Sequence, residues 1–174
     1  MDFHPPKNYG ENNQAQDPHE KTLTGWFNGA SQSNGTQSGA GGVIHVSPNT
    51  LCRWNFNCGQ GTNTRAELLG AWATLHLASR LNLDTFLLYG DSCIVIDWLK
   101  NKGKLQVTTL LGWKDRIKQL QSSFSKLNFK HIYRQNNKEA HLLSKAAHKK
   151  KVRIITFNLC VDGHEGPSHV LRLS

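Results

Sequence analysis

Two carboxylates stand where patterned segments begin or end. Glu67 opens a stretch of helical periodicity, Arg65-Ala66-Glu67-Leu68, and Asp91 closes a short apolar run in Gly90-Asp91-Ser92. Oxygen donors of this kind suit hard divalent ions. Each also has an ordinary structural reading: Glu is favourable in the first turn of a helix, and Asp after Gly is common turn chemistry. Spacing alone leaves both readings open. Charge is the second chemical signal. The 174-residue chain has a formal net charge of +9, and residues 98–153 hold fifteen Lys and Arg against Asp115 and Glu139, a local balance of +13. Residues 1–20 run the other way, at −3. A basic half points to a polyanion, nucleic acid foremost, with a solvated lysine-rich surface as the plainer alternative.

The cysteines and the hydropathy exclude other classes. No CxxC pair suggests zinc. Cys52 and Cys58 lie in an alternating stretch, roughly 20 Å apart along an extended chain, which is beyond disulfide reach. All four cysteines therefore read as reduced thiols. No apolar leader follows Met1 and no apolar run is long enough to span a bilayer. An intracellular protein, cytoplasmic or nuclear, is expected.

Stepping along the chain, residues 1–20 read as a mobile tail, 21–149 as the folded domain and 150–174 as a basic extension. A strand over 22–28 runs into the Gly/Ser-rich turn SQSNGTQSG, and a second strand covers about 40–47. In LCRWNFNC the residues Cys52, Trp54, Phe56 and Cys58 share one face of a third strand, out of phase with Leu51. Three strands joined by turns predict an antiparallel meander. Helical periodicity then runs from Thr64 to Leu81, with Leu68, Leu69, Trp72, Leu75 and Ala78 apolar. TFLLYG reads as a buried strand, and Ser92 to Lys102 as a helix with Ile94, Val95, Trp98 and Leu99 inward. A helix from Leu110 to Phe124 carries the stripe Trp113, Ile117, Leu120 and Phe124. A strand at Asn128–Arg134 and a helix at Lys138–Lys149 follow. The order βββαβααβα implies an α/β fold, a mixed sheet with helices on its faces. Beyond it, VRIITFNLCV reads as one extra strand and VDGHEGPSHVLRLS as loop. The five tryptophans fit core or sheet faces better than base-stacking platforms.

In this order, the segments WFNGASQSNGTQSGAGGVI, TNTRAELLGAW, LYGDSCIVIDWL and HIYRQNNKEAHLLSKAA resemble type 1 ribonuclease H over residues 22–148, the plant and retroelement-associated subgroup above all. The resemblance implies a ribonuclease H-like, five-stranded mixed sheet flanked by helices. It also implies metal-dependent cutting of the RNA strand of an RNA–DNA hybrid, with Mg²⁺ or Mn²⁺ held by four acids. Those catalytic positions fall here on Asn28, Glu67, Asp91 and His141, with Asn137 matching the start of the last motif. Two-metal hydrolysis needs carboxylate charge to offset the ions, and two substitutions take the quartet from −4 to −2. Asn28 stands where the family's bridging acid stands and brings no charge. His141 is a ligand suited to transition metals more than to Mg²⁺. The metal candidates are therefore Glu67, Asp91 and His141, with binding weak or absent.

The resemblance also assigns nucleic-acid contacts. Asn34 matches the asparagine that touches the RNA sugar, although Ser33-Asn34-Gly35-Thr36 replaces the usual GNPG turn. Thr62 and Asn63 match the loop on the backbone phosphate and minor groove, and Cys93 replaces a minor-groove Gln. The basic handle helix of some members is absent, since GKLQVTT joins the two helices. The leading expectation is a monomeric pseudoenzyme of a hydrolase family that binds RNA–DNA hybrid or double-stranded RNA with little or no cleavage. Two alternatives stay open: an attenuated Mn²⁺-dependent hybrid ribonuclease, and a protein-interaction scaffold that has abandoned nucleic acid.

Overall fold

The computed structural model describes residues 22–173; the tail expected over 1–20 lies outside the described residues. The meander forms as β1 (Leu23–Gln32), β2 (Gln37–Ser47) and β3 (Thr50–Gly59). Next come α1 (Asn63–Arg80), β4 (Thr85–Gly90), α2 (Cys93–Leu99), α3 (Leu111–Gln121), β5 (Lys126–His131) and α4 (Lys138–Ala146). The chain ends in β6 (Ile154–Val161) and β7 (His164–Arg172). One sheet contains all seven strands in the order β5-β4-β1-β2-β3-β6-β7. Pairings β1–β4 and β4–β5 are parallel, and the others are antiparallel.

The expected five-stranded sheet is thus present and extended by two. The loop expected over 161–174 is instead strand β7, closing a hairpin with β6. Asp162 and Gly163, at φ 51° and 78°, form its two-residue turn between the paired Val161 and His164. Two adjacent left-handed residues give the turn that matches strand twist. The strand escapes a periodicity reading because HEGPSHVLR mixes Gly, Pro and charge. An edge strand tolerates all three.

Smaller departures have equally local causes. The first turn is shorter than SQSNGTQSG, because the ladder continues through Ser31↔Ser38 and Gln32↔Gln37; backbone pairing needs no apolar side chain. Helix α2 ends at Leu99, and Ile94, expected inward, is 57% exposed. Its inward face is Val95, Ile96, Trp98 and Leu99. Strand β5 overlaps the expected 128–134 span but starts at Lys126 and ends at His131, and α4 gives way to a single 3-10 turn at Ala147–Lys149.

The two sheet faces are unequal. Residues of β1–β3 pointing toward α1 build the core, with Phe27, Ile44, Cys52, Trp54 and Phe56 packed against Leu68, Leu69 and Leu75. On the opposite face α4 buries only Ala140 and Ser144, continued by Ala147. Cys52, Cys58 and Cys160 are buried thiols, and none of the described cysteines is in a disulfide. No helix among the described residues is long and apolar enough to cross a membrane.

Candidate functional site

Two glycines set how closely the helices approach the sheet. A β-carbon on Gly29 would lie 2.1 Å from the Ala66 carbonyl carbon and 2.2 Å from the Glu67 nitrogen. On the other face, a β-carbon on Gly41 would lie 2.4 Å from the Ser144 nitrogen. Gly41 is the register partner of Asn28. The missing side chains let α1 and α4 press their polar residues to the strand on which Asn28 sits. Asn137 adds a tie: its Nδ2 donates to the Phe27 carbonyl at 2.8 Å, pinning the start of α4 one residue before Asn28.

The four positions Asn28, Glu67, Asp91 and His141 do converge, and the fully buried Asn28 is their hub. One end of its carboxamide lies 2.7 Å from Ser144 Oγ and 3.2 Å from His141 Nδ1. The other end lies 3.2 Å from Glu67 Oε1, and 3.2 and 3.3 Å from the two oxygens of Asp91. An amide oxygen facing three carboxylate oxygens has no donor. With Nδ2 turned toward the carboxylates, the amide donates to Glu67 and Asp91, and its oxygen accepts from Ser144 or His141. The Ser144 hydroxyl shares its one proton with the His141 carbonyl, 2.7 Å away.

Burial pushes the Glu67 carboxyl well above the usual carboxylate range, and the neighbouring Asp91 charge pushes it further. The Gly29 backbone opposes this by hydrogen bonding to it. Glu67 Oε2 is buried without a hydrogen-bond partner among the described residues. Burial also lowers the His141 pKa, helped by Arg134 and Lys145 and opposed by Asp91. Its ring is therefore neutral at neutral pH.

These oxygens suit one hard cation. Adjacent ligand oxygens around Mg²⁺ lie about 3 Å apart, close to the separations here. With the amide oxygen turned inward, Asn28, Glu67 and Asp91 would hold such an ion, and the orphaned Glu67 Oε2 would gain a partner. A second ion lacks its bridging charge, since Asn28 is neutral. No group of three or more His, Cys, Asp or Glu among the described residues gathers as a metal cluster; His141 meets the site through Asn28.

The expected nucleic-acid residues also come together. Ser33, Asn34 and Gly35 all adopt positive φ (53°, 56° and 86°) in an exposed turn. The Gly61 N–H donates to the Gly35 carbonyl at 2.9 Å, and Ser31 Oγ donates to the Gly61 carbonyl at 2.8 Å. Asn63 Oδ1 accepts from the Ser31 N–H at 2.7 Å. Thr62 Oγ1 caps α1 by accepting from the Arg65 N–H. Asn34, Thr62 and Asn63 thus form one pinned surface, and Cys93 is exposed at the start of α2. Sequence reasoning passed over Ser144, Gly29 and Gly41. Ser144 carried one signal, its i+3 spacing from His141 on one helix face.

A family model described as reverse transcriptase-like matches residues 26–147. No curated protein matches the chain. Among solved structures, RNase H1 from the halophilic archaeon Halobacterium salinarum NRC-1 is 26% identical, with a TM-score of 0.67; the match covers 72% of this chain and 96% of that one. The N-terminal RNase H domain of a Mycobacterium tuberculosis protein is 23% identical at TM-score 0.64, covering 73% and 98%. LC11-RNase H1, solved in complex with RNA/DNA hybrid, is 22% identical at TM-score 0.68, covering 74% and 97%.

Proposed function

The chain belongs to the reverse transcriptase-like family and has a ribonuclease H-like fold, and from that premise we propose that it binds RNA–DNA hybrid or double-stranded RNA with little or no cleavage. One observation carries the reading. The buried Asn28 amide lies between Glu67 and Asp91 and offers them hydrogen-bond donors where the family's chemistry needs a bridging negative charge. A divalent ion bound there would activate water and offset charge on the phosphate. Asn28 instead holds the two carboxylates together without one. Asn34 and Asn63 present amides beside a backbone turn, a surface suited to sugar and phosphate contacts. The solved LC11-RNase H1 complex gives a precedent for hybrid as the ligand.

The attenuated Mn²⁺-dependent reading keeps one observation in its favour: His141 is a neutral imidazole beside an oxygen set spaced for one cation. Binding and cleavage of a labelled hybrid in Mg²⁺ and in Mn²⁺ test both. We expect the chain to bind without cutting, and Asn28→Asp/His141→Asp to cut. Cleavage by the unmodified chain that disappears in Glu67→Gln would establish the Mn²⁺-dependent reading instead. Failure to bind hybrid or double-stranded RNA at low salt would leave the protein scaffold.

A further inference from the structure

A second surface lies away from the acidic centre, between α1, α3 and the C-terminal hairpin. It consists of two cavities of about 190 and 360 Å³ that share Arg116 and Leu173 as lining residues. Arg65 and Arg153 line the first, and Arg172 lines the second; neither is lined by Asp or Glu. Arg65 is held in place by bonds from Nη1 to the carbonyls of Cys58 (2.6 Å) and Gln60 (3.0 Å). The Leu173 N–H donates to the Arg153 carbonyl at 2.9 Å, joining the two ends of the hairpin, whose Arg153, Arg172 and Leu173 form the outer wall. That wall lies beyond residue 147, where the family match ends.

Beneath the groove the buried Trp72 carries the His76 ring and Trp113 carries the Arg116 guanidinium, so that these two planar groups form its floor. Trp72 and Trp113 meet edge to face at 5.1 Å, and the His76 ring stacks on Trp72 at 5.0 Å with 12° between planes. The Arg116 guanidinium lies 4.7 Å over the Trp113 ring and is itself exposed. Burial and Arg80 lower the His76 pKa, leaving an uncharged, half-buried ring at neutral pH. Guanidinium planes and neutral rings are surfaces on which bases stack, and unpaired guanidiniums take backbone phosphate. Arg65 borders the surface described above through the segment before α1, since it bonds to the Gln60 carbonyl and Gly61 in turn bonds to Gly35.

We propose that this groove binds a single-stranded segment of nucleic acid, through phosphate contacts to Arg116 and Arg172 and base stacking on the His76 ring and the Arg116 plane. This goes beyond the hybrid-binding reading and shares only the class of ligand with it. Charge complementarity and the planar groups together favour a base-bearing polyanion over an acidic peptide.

Fluorescence anisotropy with a labelled eight-nucleotide uridylate RNA tests it, using the full chain. Arg116→Gln/Arg172→Gln should weaken binding about tenfold. Lys102→Gln/Lys104→Gln, which removes the same charge from exposed positions elsewhere, should weaken it less than about threefold. An abasic strand of equal length should bind at least about tenfold more weakly than the RNA. Equal loss in the two double variants, or equal binding of the abasic strand or an oligoglutamate peptide, overturns the proposal. Blunt hybrid is measured on the same proteins. RNA binding without hybrid binding upholds the groove and removes the hybrid reading; the reverse removes the groove alone.

Discussion

At the residue scale, the acidic centre is an electrostatic problem solved with an amide. Glu67 is buried beside Asp91, and its folded pKa is raised. A raised carboxyl pKa means that the folded state holds the proton more tightly than the unfolded chain does. The stability associated with Glu67 is therefore greatest below about pH 4.5 and is lost as pH rises through the folded pKa. Glu67→Gln removes this dependence. We expect the variant to melt about 2–4 °C higher than the parent at neutral pH, with the two converging as the pH falls toward 5. Thermal scans across pH check this, and a Gln variant that melts lower at every pH would contradict it.

At the element scale, close approach matters more than periodicity. Gly29→Ala drives a methyl into the backbone of α1, and we expect a loss of about 3 kcal/mol or more. Gly112→Ala, with nothing within 4 Å of the new carbon, should instead leave stability unchanged or gain up to about 0.5 kcal/mol, since it lies in the first turn of helix α3. Denaturant melts of the pair distinguish contact from propensity. The same contrast explains what was legible beforehand. The apolar face of Cys52, Trp54, Phe56 and Cys58 announced β3, and the spread of Leu68, Leu69, Trp72 and Leu75 announced α1, since each must meet a core. Motif resemblance placed Asn28, Glu67, Asp91 and His141 together. Ser144 and the glycines stayed hidden because their role is set by helix-to-sheet distance, which no local pattern records. Strand β7 stayed hidden because its pairing is a backbone affair.

For the whole molecule, the hairpin completes the sheet. Strand β6 covers the β3 edge along Thr50–Phe56 and adds Ile155 and Phe157 to the core. Arg53 joins three elements at this border, paired with Glu139 of α4 and 3.7 Å from Glu165 of β7. A chain stopped at residue 149 would expose a long strand edge and apolar surface. We expect it to be recovered largely as aggregate, while the full chain elutes as a discrete species by size-exclusion chromatography. Equal solubility of the two chains would contradict this.

The Asn28 amide also has a physiological consequence. An acidic pocket that depends on an ion for its neutrality inherits the fortunes of that ion, loosening when chelators or competing ligands withdraw it. Here the compensating donor is part of the polypeptide and cannot be withdrawn. If Asn28 keeps its Nδ2 toward the carboxylates, the fold, and any grip on nucleic acid that relies on it, should be uncoupled from the supply of divalent metal. On the reading proposed above, binding of nucleic acid should therefore persist when a chelator is added.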